Sequence, residues 1–118
     1  MKIEKLKKRS QFVNVTKQCQ KWVTKGMIVQ ILSMPENKNT IHIGFTATKK
    51  TGNAVIRNRI KRRLRAVASE ILPRIKTDKG YDIVLIGRYT TATREYKTLR
   101  QDLVYALKKL DLQIKDTK

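Results

Sequence analysis

A chain of 118 residues with 40% hydrophobic content is long enough to bury one core and too short for two. Its 28 Lys and Arg against 9 Asp and Glu leave a formal charge of +19, a self-repulsion that polyanionic nucleic acid would relieve, with anionic membrane as the competing partner. One cysteine, Cys19, excludes an internal disulfide; with one histidine, His42, it leaves no soft-ligand set for structural zinc, and no apolar run approaches the ~20 residues of a membrane span.

These features predict a soluble cytoplasmic protein, since no long apolar run follows the basic start MKIEKLKKRS. In residues 10–24, Phe12, Val15, Cys19, Trp22 and Val23 recur at helical spacing behind Ser10 as N-cap, which predicts a first amphipathic helix. MIVQILSM at 27–34 is rich in β-branched residues and is followed by the turn residues PENKN, so it predicts a strand and a loop. TIHIGFTAT at 40–48 alternates, with Ile41, Ile43, Phe45 and Ala47 on one face and His42, Gly44, Thr46 and Thr48 on the other. A turn at Thr51, Gly52 and Asn53 opens a helix over 54–72 that Pro73 stops. YDIVLIGR at 81–88 reads as a buried central strand. A last helix over 93–110 lines up Tyr96, Leu99, Leu103, Ala106, Leu107 and Leu110. With no repeat or linker, residues 1–118 are expected to form a single α+β domain in the order α β β α β α, a sandwich of one sheet and its helices.

The charge is concentrated. Residues 1–69 carry 17 cations against Glu4 and Glu36 alone, and the segment TGNAVIRNRIKRRLR, 51–65, has no acid at all. On a helix from Ala54, Ile56, Ile60, Leu64, Val67, Ala68 and Ile71 fall in an arc of roughly 120° that goes to the core. Arg57, Lys61 and Arg65 climb one flank, Asn58 and Arg62 point outward, and Arg59 and Arg63 border the other flank. Like charges four residues apart cost an isolated helix roughly 0.2 to 0.5 kcal/mol per pair. A merely solvated face interleaves both signs, so this one predicts a phosphate-binding surface, extended by Lys49 and Lys50.

The segment IGFTATKKTGNAVIRNRIKRRLR, 43–65, resembles the signature of the bacterial ribonuclease P protein component, in which a strand ending in paired lysines leads to GNAV and an RNR-containing helix. The likeness runs from LKKRSQF near the start to the last helix. It implies a mostly antiparallel sheet with a left-handed βαβ crossover, a catalytic RNA subunit and precursor tRNA as partners, and Mg2+ held mainly by the RNA. It assigns Lys49, Lys50, Asn53, Arg57, Asn58, Arg59, Lys61, Arg62 and Arg63 to RNA binding. It assigns Phe12, Gln30, Lys61 and Arg65 to a cleft for the 5′ leader, to which Thr46 and Thr48 could add hydrogen bonds. Where many relatives carry further aromatics this chain has Thr16 and Gln30, which points to more polar leader contacts. From spacing alone, Phe12 fits a core residue equally well.

For catalysis by the protein itself the sequence offers little. His42 stands on a strand with no evident partner, and no pair of carboxylates stands out among Glu70, Asp78 and Asp82. The expectation is a non-catalytic subunit of an endoribonuclease, monomeric in the holoenzyme. The alternatives are a basic ribosomal or assembly protein and a small stand-alone ribonuclease that would depend on His42.

Overall fold

The apolar run at residues 83–85 forms the middle of the molecule, as its composition predicts. The structure, a computed structural model describing residues 2–114, places it in β6 (Tyr81–Gly87), flanked on both sides by other strands. β3 (Met27–Ser33) pairs antiparallel with one edge of β6, and β4 (Thr40–Ala47) runs parallel to the other. β1 (Lys2–Lys5) adds in parallel outside β4, and β2 (Gln20–Val23) adds antiparallel outside β3, giving the order β1-β4-β6-β3-β2. The sheet is therefore mixed rather than mostly antiparallel. A crossover through α2 (Ala54–Ile71) imposes parallel pairing on β4 and β6, and β1 brings a second parallel ladder. β5 (Ile75–Lys76) and β7 (Gln113–Ile114) form a separate short antiparallel ladder.

The first helix is shorter than its pattern predicts. α1 spans Arg9–Gln18, with Lys8 at the N-cap rather than Ser10, and the Gln11 carboxamide accepts from the Lys7 and Lys8 amides at 3.0 Å. Trp22 and Val23 belong to β2, because Lys25 and Gly26 close a two-residue hairpin that pairs β2 with β3. Trp22 consequently packs beside Tyr105 of α3 (Tyr96–Lys109), ring centroids 6.3 Å apart, and not on the Phe12 face of α1.

Alternation along the strands divides the molecule into two layers. Met27, Val29, Ile31, Ile41, Ile43, Ile83 and Leu85 face α2 and α3, where Ile60, Leu64, Val67, Ile71, Leu99, Leu103 and Leu107 complete the main core. The opposite face is covered by α1 and the segment leading into it, through Leu6, Val15 and Val84 with Phe12, Cys19, Leu32 and Ile86 packed around them. Ile56 departs from the expected core arc: it is 37% exposed and lies over Gly52, where a Cβ would stand 2.9 Å from Ile56 Cγ2. Gly52 has φ 145°, a conformation other residues avoid. A 3-10 turn, Tyr89–Ala92, delays the last helix to Tyr96.

Candidate nucleic-acid interface

Helix α2 begins where Asn53 Oδ1 accepts from the Ile56 amide at 3.0 Å, an N-cap that fixes the direction of every cation after it. Asn53, expected at the RNA surface, thus has a visible structural role. Lys49 and Lys50 stand exposed on the 3-10 turn just before the cap. Arg57, Lys61 and Arg65 climb the flank nearest the β4 edge, and the Arg65 guanidinium lies 5.6 Å from the centre of the Phe45 ring. Asn58 and Arg62 point to solvent.

The other flank does something the sequence does not show. Arg59 Nε donates to the Ala92 carbonyl at 3.0 Å, and Arg63 Nη2 donates to the Arg94 carbonyl. These two cations fasten α2 to the segment between β6 and α3. That segment is itself held by Arg88 Nη1 donating to the Thr24 carbonyl at 2.7 Å and by the Arg94–Asp102 pair at 2.6 Å.

Two carboxylates of the neighbouring elements are engaged elsewhere. Asp102 holds Arg94, and Glu70 accepts from Arg100 Nη1 at 2.9 Å and from the Tyr96 hydroxyl at 3.1 Å. The Arg100 hydrogen bond holds the Glu70 carboxyl below its usual range. None of the ion pairs among the described residues includes a cation from 49–65. The cationic face therefore has no protein counter-charge in contact.

A second surface lies on the α1 side of the sheet. The Phe12 ring rests on Gly44, where a Cβ would stand 2.6 Å from Phe12 Cζ. Phe12 is half-buried, between the core and cleft readings, with one side seated on the sheet. Gln30, 7% exposed, shares its row through Val84, and its Oε1 is buried without a hydrogen-bond partner. An unpaired buried acceptor costs roughly 1 to 3 kcal/mol. Thr46 is half-buried one row further on, and Thr48 is exposed beyond the strand end.

Phe12, Gln30 and Thr46 thus share one face, whereas Lys61 and Arg65 stand on the helix across the sheet. The β1 ladder ends at Ile43, so Phe45, Thr46 and Ala47 form an open strand edge between the two faces.

His42 has a partner that spacing could not reveal. Its Nδ1 lies 3.2 Å from Oδ1 of Asp82, directly across the β4–β6 ladder, though without hydrogen-bond geometry. Burial pushes the Asp82 carboxyl up from its ordinary value of 3.8, with His42 partly offsetting the rise. A raised folded-state value means stability that is full below the ordinary value and lost as pH rises through the folded one. Asp82→Asn, which removes that charge, is therefore expected to gain stability relative to the parent between about pH 4 and pH 7, as read by urea melts. An unchanged difference across that range would show that Asp82 carries no buried-charge penalty.

Among the described residues no three His, Cys, Asp or Glu side chains converge into a group that could hold a metal ion. No helix among them is long and apolar enough to cross a membrane.

A family model described as Ribonuclease P matches residues 1–111. The chain belongs to the ribonuclease P protein family. It is 38% identical to the ribonuclease P protein component of Paramagnetospirillum magneticum, covering 92% of this chain and 84% of that one. It is 43% identical to the component from Ruegeria pomeroyi, covering 92% and 86%. Among solved structures, the Staphylococcus aureus RNase P protein superposes with a TM-score of 0.74 at 25% identity, covering 90% of this chain and 94% of that one. The Thermotoga maritima RNase P protein, at 24% identity, shares the fold, with a TM-score of 0.72 over 86% and 93% of the two chains. The ribonuclease P match takes in both surfaces described above, including the segment 43–65 that first suggested it.

Proposed function

We propose that this chain is the protein subunit of a cytoplasmic ribonuclease P ribonucleoprotein, binding the catalytic RNA through the α2 face and the 5′ leader of precursor tRNA through the α1 side of the sheet. One observation carries the proposal: in a member of this family, the cationic surface of residues 49–65 has no protein counter-charge in contact. Phosphates supply the missing partner, and releasing their counterions makes the association favourable at low salt. On the leader side, the half-buried Phe12 offers its exposed side for stacking, and Gln30 lies in the sheet row beneath it.

The chain's own contribution is positioning, not bond cleavage. In support of that assignment, Glu70 and Asp102 are bound to arginines, and Asp82, the neighbour of His42, is buried. We assign the Mg2+ to the RNA subunit, where it would activate water and stabilise the leaving oxygen. Since mature tRNA lacks the leader, a protein that grips the leader favours substrate over product.

The test is reconstitution of the monomeric protein with its RNA at low Mg2+, comparing affinities for precursor and mature tRNA. The expected result is tighter precursor binding, with Phe12→Ala lowering that preference by about tenfold, in keeping with the loss of one stacked base. Equal affinities for the two tRNAs would end the leader reading. Vigorous cleavage by the protein without RNA would end the subunit reading.

A further inference from the structure

A pocket of about 320 Å3 opens between the β1 edge and the C-terminal half of α2, on the sheet face opposite the leader surface. Its floor is apolar, made by Ile43, Phe45 and Leu72, with Ile3 and Pro73 as walls. Its rim is basic and polar: Lys5 on β1, Arg65 and Ser69 on α2. Arg65 is the last residue of the Arg57, Lys61, Arg65 flank, so a polyanion following that flank is led to the mouth. Its guanidinium already lies over the Phe45 ring, so a cation and an aromatic ring border the cavity together.

The geometry points to a binding site for one unstacked nucleobase of an RNA strand, inserted against Phe45 with its phosphate held by Arg65 and Lys5. This inference rests on the RNA-subunit reading and deepens it. An apolar slot alone would suit many ligands. A slot with an apolar floor, bordered by Lys5 and Arg65 against the single carboxylate Glu4 and continuous with a cationic track, suits a flat aromatic group carried on a phosphate chain. Glu4, which also borders the opening, is the intervening residue of β1 and registers with His42 on the other face.

The chain has only two phenylalanines, Phe12 and Phe45, so the protein made with 4-fluorophenylalanine has one fluorine reporter on each surface. The probe is a mixed-sequence single-stranded RNA of about 12 nucleotides, alongside the same backbone without bases. The expected result is a shifted Phe45 resonance with the base-bearing strand and none with the abasic one. Ser69→Leu, which plugs the mouth from an exposed position, should abolish that shift. Phe45→Leu should weaken binding of the base-bearing strand by about tenfold while leaving the abasic strand unaffected. Binding with an unmoved Phe45 resonance, or with Ser69→Leu indistinguishable from the parent, would overturn the pocket and leave the subunit reading standing. Failure of both strands to bind would instead count against the subunit reading itself.

Discussion

Reversing the charge at Lys61 and Arg62 together is expected to weaken binding to the ribonuclease P RNA by about a hundredfold at low salt, and to lower the slope of log affinity against log salt by about 2. Arg62 is exposed, and neither residue takes part in an ion pair among the described residues. Stability is expected to move the other way. Lys61 stands between Arg57 and Arg65 at helical spacing, so Lys61→Glu turns two repulsive pairs into two attractive ones, each worth roughly 0.2 to 0.5 kcal/mol. A variant that melts higher and binds RNA far more weakly separates function from folding in one molecule. If its affinity stays within about twofold of the parent, the α2 face is not the interface, since two reversed charges on a phosphate-contacting surface cannot be silent. Arg59 and Arg63 are poorer choices for this experiment, because losing them also removes the donors that bind α2 to residues 92 and 94.

That distinction shows where the sequence stops being legible. The long elements were readable because their periodicity agrees with their burial. β4 alternates and is half-covered on each face, β6 is apolar throughout and central, and α2 and α3 carry apolar stripes. β1 was not readable: KIEK is short, charged and exposed, as edge strands commonly are. β2 carries an ambiguous pattern, because Trp22 and Val23 with Cys19 also fit helical spacing. Lys25 and Gly26 were the local signal for a hairpin, and long-range pairing with β3 decided between the two.

At the candidate interface, the density of cations on 49–65 was visible. Which of them bind backbone carbonyls depends on contacts 31 to 33 residues away, beyond any local pattern. The same holds for the His42–Asp82 pair, which exists only because β4 and β6 lie side by side.

Gly87→Ala is expected to cost about 2 to 3 kcal/mol, a large share of the 5 to 15 kcal/mol that holds a small domain folded. Gly87 ends β6 between Met27 of β3 and Ala47 of β4, so its backbone is held from both sides. A Cβ there would collide with Cγ2 of Ile60, which is fully buried and whose β-branched side chain has little rotamer freedom. Helix α2 would have to lift, straining the Arg59 and Arg63 contacts that fasten its outer flank. Ile60→Ala alone should cost about 2 to 5 kcal/mol through the cavity it leaves. In the double variant the new methyl occupies part of that cavity, so the combined loss should fall short of the sum by about 1 kcal/mol or more in urea melts. Strict additivity would mean that α2 is not seated on Gly87. Because the same seating aims the cations, RNA affinity should fall in each single variant and recover in part in the double. Recovery of stability without recovery of affinity would show that the helix can be refitted to the sheet with its basic face turned away from the phosphates.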